Sequence, residues 1–150
     1  MKFYVCGPVT GFSDLNLPTF EYAAMQLQDA GLETVIPHEF VPPDASHDDA
    51  MCLCIERLRV GDIDAVAVLP GWEDSRGSQI ELIAATALKI DFCPIDLVLE
   101  IAETLGRRTD GGIFANRFVS RVKKQVKPKE PKAPAWRFFR NNGYMKNGGE

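Results

Sequence analysis

No apolar run in this 150-residue sequence approaches the roughly 18 residues of a membrane-spanning helix, so no membrane contact is expected. Only two histidines and four cysteines are present, and no set of them has zinc-like spacing. A metal site is not expected either. The chain lacks both GxGxxG and the Walker spacing GxxxxGKS/T, so neither a dinucleotide site nor a Walker-type phosphate site is indicated. A secretory leader has no room, because Phe3-Tyr4-Val5-Cys6 enters strand-like sequence at once. The expected setting is cytoplasmic, with reduced thiols. Cys6 and Cys93 sit in apolar strand-like runs. Cys52 and Cys54, two apart in a helical stretch, point in different directions around it. All four read as buried free thiols.

Positive charge is scarce over most of the chain and abundant at one end. Residues 1–116 hold 7 Lys/Arg against 19 Asp/Glu, a net −12; residues 117–150 hold 10 against 2, a net +8. The net −4 therefore describes an acidic body with a basic tail. With 45% hydrophobic and 25% charged residues the composition is that of a globular protein. A chain of this length buries roughly 68–70% of its unfolded surface, enough for a core without staples.

Strand-like and helix-like segments alternate. Phe3–Cys6 reads as a buried strand stopped by Gly7-Pro8-Val9-Thr10-Gly11. Pro18 opens a helix with Phe20, Ala23, Ala24, Leu27 and Ala30 at helical spacing, ended by Gly31. Leu32–Ile36 is a second strand. A helix from Asp48 to Val60 follows, capped by Asp48 or Asp49, with Met51, Ile55 and Leu58 on one stripe. Asp64–Leu69 is a third strand, apolar as buried parallel strands are. After a polar loop, Ser78 is expected to cap a helix over 79–89, with Ile80, Ile83, Ala84 and Ala87 inward. Ile90–Ile95 gives a fourth strand and Asp96 caps a helix over 97–105. The spacing predicts a doubly wound α/β domain over 1–112: a flavodoxin- or Rossmann-like parallel sheet of four to five strands with flanking helices. The remainder, 113–150, reads as a basic helix, a Pro/Lys-rich linker and a polar tail.

Open parallel sheets bind ligands at the carboxyl ends of their strands. Two loops leave those ends here. In Gly7-Pro8-Val9-Thr10-Gly11 the glycines permit close backbone approach, which serves a ligand or a tight turn equally. The second, Asp74-Ser75-Arg76-Gly77-Ser78, runs into the helix that carries Glu81. A helix start, two hydroxyls and a guanidinium make an anion site there. Glu81 has two readings: a capping-box glutamate paired with Ser78, or a carboxylate that attacks an anomeric carbon as in retaining glycoside chemistry.

Residues Tyr4–Gly11, then Asn16 and Phe20, then Asp64–Ser75 with Gly77 and Glu81, form one pattern. It resembles a branch of mostly phage and prophage domains of unknown function in the nucleoside 2-deoxyribosyltransferase-like superfamily. The likeness spans about residues 2–95, and Leu69-Pro70-Gly71-Trp72-Glu73 with Ser75, Gly77 and Glu81 is its most specific part. The resemblance implies cleavage or exchange of the N-glycosidic bond of nucleosides or nucleoside 5′-monophosphates, with neither metal nor organic cofactor, in a homo-oligomer. By position, Glu81 matches the nucleophile, Tyr4 an aromatic hydroxyl that orients it, and Ser75 a serine on the 5′-phosphate. Two positions depart from the pattern. The relatives place an aspartate eight residues before that of the third strand, to assist at the base; Glu56 stands there. Pro8 and Thr10 replace the Ser and Arg that reinforce phosphate binding, a loss that Arg76 is placed to offset.

Trp72 is read as stacking on a base or as packing at the loop root, and His38 as a crevice-lining or structural histidine. His47 carries no signal, and Asp62 and Asp64 read as solvated or capping. The tail over 117–150, with Trp136, Phe138 and Phe139, fits three roles: docking on a neighbouring subunit's acidic body, nucleic-acid binding, or a solubilising extension.

Overall fold

The computed structural model describes residues 1–106. The basic stretch expected from 113 onward lies outside the described residues. Four strands, β1 (Lys2–Cys6), β2 (Glu33–Val35), β3 (Ala65–Val68) and β4 (Asp91–Pro94), alternate with four helices, α1 (Leu17–Asp29), α2 (His47–Arg59), α3 (Arg76–Ala87) and α4 (Ile95–Gly106). The sheet is parallel throughout, in the order β2-β1-β3-β4. Tyr4 pairs with Val35 on one side and Val66 on the other, and Val66 pairs with Phe92. This is the expected doubly wound α/β arrangement, with four strands.

Side-chain alternation along each strand divides the core in two. Phe3 and Val5 join Ala65, Ala67 and Leu69 under α1 and α4, where Phe20, Ala23, Leu27, Val98 and Ile101 close the layer. Tyr4 and Cys6 join Val66 and Val68 on the other face, against Leu58 of α2 and Leu82 and Ala85 of α3. Pro18 lies in the first turn of α1, and Gly31 at φ +80° ends it as expected.

Several local expectations are corrected. α2 is capped by Ser46, whose hydroxyl accepts from the Asp49 amide at 3.1 Å; Asp48 and Asp49 fall inside the first turn. α3 begins earlier than expected, capped by Ser75, whose hydroxyl accepts from the Ser78 amide at 3.3 Å. Ser78 is therefore in the first turn and no longer a cap. The inward stripe of α3 is Ser78, Glu81, Leu82 and Ala85, while Ile83 and Ala87 are exposed. Asp96 belongs to the first turn of α4. Cys52 is exposed; Cys6, Cys54 and Cys93 are buried.

Asp62 and Asp64 are solvated, as expected, but each is also paired, and neither is a helix cap. Asp62 accepts both Arg57 guanidinium nitrogens, at 2.6 and 3.0 Å, and Lys2 Nζ at 3.0 Å, while Asp64 accepts the Lys2 amide at 2.7 Å. The Arg57 guanidinium, then Lys2, holds the Asp62 carboxyl well below the usual range. These pairs pin the start of β1 at the end of the sheet away from the strand C-termini. Being solvent-exposed, they fix geometry more than they add stability.

Candidate functional site

Between β1 and β3 the connections diverge: the chain leaves β1 towards β2 on one side and leaves β3 towards β4 on the other. Such a switch point opens a crevice at the strand C-termini. A cleft of about 820 Å³ occupies it. Its floor is Gly7 and Pro8 after β1 and Pro70 and Gly71 after β3. One wall is the turn before α3 and that helix's start: Asp74, Ser75, Arg76, Gly77, Ser78 and Glu81. The facing wall is apolar and proline-rich, with Pro37, Val41, Pro42, Pro43, Ala45, Ala50 and Met51.

Gly7 has no room for a side chain, since a Cβ there would lie 2.8 Å from Leu69. That close approach brings the ends of β1 and β3 together and seats the loops above them. Gly71 at φ +83° and Gly11 at φ +89° occupy backbone space that L side chains rarely adopt. Three successive residues without that freedom, Asp14, Leu15 and Asn16, also sit at φ 52°, 53° and 61°. Left-handed geometry costs about 1–2 kcal/mol per residue, so the surroundings must hold it. They do: Asn16 Nδ2 donates to the Pro8 carbonyl at 2.7 Å, and His38 Nε2 donates to the Leu15 carbonyl at 2.9 Å. This turn presents Phe12 and Leu15 as an exposed apolar lip on the cleft.

Glu81 lies at the floor, 5% exposed. A capping box is ruled out as its role, because Ser75 caps α3 and leaves Glu81 more than one turn inside. The Cys6 and Cys54 thiols and the Tyr4 hydroxyl are the polar groups that act on its carboxyl. Burial raises its pKa above the ordinary glutamate value, while donation from Cys6, then Cys54, then Tyr4 works against that rise. The thiols feel the reverse effect. Burial and then the Glu81 charge push Cys54 up to about 12, and the same two causes push Cys6 well up. Neither thiol is a nucleophile in this state.

Tyr4 is completely buried, with its phenol raised by burial and then by Glu81. Its hydroxyl has no partner at ordinary hydrogen-bond geometry among the described residues, which agrees with its being the weakest of the three influences on Glu81. It stands behind the cleft, outside the lining.

The other expected site residues divide clearly. Gly7, Pro8, Thr10, Asp74, Ser75, Arg76, Gly77 and Ser78 converge on the cleft with Glu81. Gly11 is exposed beyond it. Trp72 packs edge-on against Phe92, centroids 6.1 Å apart, and does not line the cleft. Glu56 is not brought in. Cys54 and Leu58 are the buried face of α2, and Glu56, two residues from each, is exposed on the opposite side. Its assignment to the leaving base is corrected accordingly. Among the cleft and floor residues that the sequence did not point to are Cys6, Cys54, His47, Met51 and the wall of Val41, Pro42 and Pro43. The i, i+4 spacing of Cys54 and Leu58 is the one signal that would have turned Cys54 inward. Among the described residues no cluster of three or more His, Cys, Asp or Glu is arranged to hold a metal, and no helix is long and apolar enough to cross a membrane.

The family model described as a domain of unknown function, DUF4406, matches residues 1–93. The chain belongs to the DUF4406 family. Neither curated proteins nor solved structures yield a match. The DUF4406 match runs from β1 into β4 and so contains every residue that lines the cleft.

Proposed function

We propose that this DUF4406 chain cleaves or exchanges the N-glycosidic bond of a nucleoside or nucleoside 5′-monophosphate, with Glu81 as nucleophile. The observation that carries the reading is a single buried carboxyl at the floor of a cleft, one turn from a helix start furnished with Ser75, Ser78 and Arg76. That start offers free amides and a positive dipole end to an anionic 5′ group. The apolar wall of Val41, Pro42, Pro43 and Met51 suits the flat face of a base. The family resemblance of the Leu69–Glu81 stretch points to the same chemistry.

In this reading a Glu81 oxygen attacks C1′ while the C1′–N bond breaks, its electron pair leaving with the base. A glycosyl ester on Glu81 remains, and water or a second base reopens it. The departing base needs a proton that Glu56 is not placed to give. His38, His47 and Asp74 also line the cleft and are the candidates to supply it. A nucleotide substrate suits the cytoplasmic setting expected from the sequence.

One observation favours a second reading, a nucleotide-binding module without turnover. Burial holds the Glu81 carboxyl towards its protonated form, which donates to a ribose hydroxyl and does not attack carbon. Incubation with ribo- and deoxyribonucleosides and their 5′-monophosphates, with and without a second free base, separates the two. Chromatographic release of base by the wild type and not by Glu81→Ala supports catalysis, and a new nucleoside identifies transfer. Saturable thermal stabilisation without release supports the binding module.

A further inference from the structure

Charge is sorted along the axis of the fold. Among the described residues Lys2, Arg57, Arg59 and Lys89 stand at the end of the sheet where the strands begin, on β1, in the last turn of α2 and just after α3. Arg76 is the one lysine or arginine among the described residues at the cleft end. Exposed carboxylates crowd that end instead: Asp14 in the turn after β1, Asp44 in the loop after β2, Asp48 and Asp49 in the first turn of α2, and Glu73 and Asp74 after β3. Inside this rim the cleft mouth is an apolar groove open to solvent. Phe12 is 52% and Leu15 38% exposed on its lip, and Pro42 and Pro43 are exposed on the facing wall. An apolar groove inside an acidic rim suits an occupant that is aromatic and basic at once.

We propose that this groove is the docking surface of the chain's own C-terminal segment, residues 117–150. That segment carries 10 Lys/Arg against 2 Asp/Glu, with Trp136, Phe138 and Phe139 close together. Its cations match the rim, and its rings match the lip and the prolines. The chain is long enough. α4 starts at the cleft end, and its 12 residues run about 18 Å to the opposite end. Beyond Gly106, residues 107–116 span up to roughly 33 Å when extended, so Arg117 and all that follows can return to the mouth. The tether also favours this occupant over a free one, because a short linker presents the segment at an effective concentration of about millimolar. Nucleic acid is the wrong sign for this rim. The apolar wall is where the proposed base lies, so a docked segment and a nucleoside exclude one another. That consequence rests on the glycosidic reading; the docking itself does not.

Full-length protein, mixed from equal parts of unlabelled and ¹⁵N-labelled chain, would be treated at low salt with a carbodiimide, which joins a lysine amine directly to a carboxylate beside it. Digestion and mass spectrometry then locate the links. Lys123, Lys124, Lys127, Lys129 and Lys132 should link to the rim carboxylates, within chains of one label. The links should be lost in about 1 M salt, where the Debye length is about 3 Å. Asp29 and Glu33, exposed at the end where α4 delivers the chain, should be linked several-fold less. Phe12→Ala and Trp136→Ala should each lower the rim links several-fold; Phe12 is exposed, so its loss leaves the core intact. Links spread evenly over both ends, or none, overturn the docking. Rim links between chains of different label give the groove to a second copy and overturn occupancy by the chain's own segment. Rim links that survive Phe12→Ala unchanged overturn the seating of the aromatic cluster on the lip. If the links appear as stated and no nucleoside or nucleotide reacts, the docking stands and the glycosidic reading fails.

Discussion

The two faces of one four-stranded sheet are built to different specifications. Under α1 and α4 the buried layer is almost wholly hydrocarbon: Phe3, Val5, Phe20, Leu27, Val98 and Ile101 meet with Cys93 as the sole heteroatom-bearing side chain among its buried members. Under α2 and α3 the same strands contribute Tyr4 and Cys6, and the helices add Cys54 and Glu81 above Leu58 and Leu82. Hydrocarbon against hydrocarbon gains free energy in proportion to area buried. A buried carboxyl and a phenol lacking a partner do the opposite. The comparison teaches that the first face supplies stability and the second consumes some of it to hold Glu81 at the cleft.

The largest effect should come from breaking the first face. Leu27→Ala removes a completely buried side chain in the last turn of α1, and substitutions of this kind cost about 2–5 kcal/mol. Denaturant unfolding should show that loss, while the Glu81 titration and any base release per folded molecule stay at wild-type values. Disturbance of Glu81 by so distant a change would mean the two faces are not separable.

A smaller effect, of opposite sign, should come from relieving the second face. Burial raises the Glu81 pKa in the folded chain above the unfolded value. Over the interval between the two, the folded state binds more protons than the unfolded, so stability falls as pH rises. The penalty is complete above the folded value and absent below the ordinary glutamate range. Glu81→Gln carries no charge to desolvate. At neutral pH it should melt a few degrees above wild type, on the scale of about 4–8 °C per kcal/mol for a domain of this size. The two melting curves should converge on acidification through the glutamate range. A variant that melts below wild type at neutral pH would show that ionised Glu81 stabilises the fold, contrary to the comparison.

The hydrocarbon face was also the more legible one. The runs Phe3–Cys6 and Ala65–Leu69 are continuous apolar segments bounded by glycine and proline, and the alternation of strands with amphipathic helices leaves few topologies open. The site face misled where apolar pattern and function disagree. Ile80, Ile83, Ala84 and Ala87 make a complete helical stripe, yet α3 turns the stripe of Ser78, Glu81, Leu82 and Ala85 inward. Periodicity assigns the greasier side to the core, and a helix that must deliver a carboxyl to a buried floor breaks that rule. The caps were misplaced for a simpler reason. Ser46, Asp48 and Asp49 crowd one helix start and Ser75 and Ser78 the other, so several residues compete for one position. The cleft glycines and the Ser75–Glu81 wall were legible because loops at strand ends carry little besides function. The two thiols at Glu81 were not, since cysteine in an apolar run reads as core.

The smallest expected effect sharpens the comparison at its edge. Glu56 occupies the position where the resemblance expects a carboxyl to assist the leaving base, but it projects from α2 on the side away from Cys54 and Leu58. A helix cannot present residues i and i+2 to the same neighbour, since they lie roughly 200° apart around the axis. Bringing Glu56 to the cleft would drag Cys54 away from Glu81 and Leu58 out of the core. Glu56→Gln should therefore change stability by less than about 0.5 kcal/mol, as exposed substitutions do, and should leave base release and its pH profile unaltered. A loss of release with unchanged stability would mean that α2 rotates on binding substrate, so that the face seen in the free protein is not the face that works.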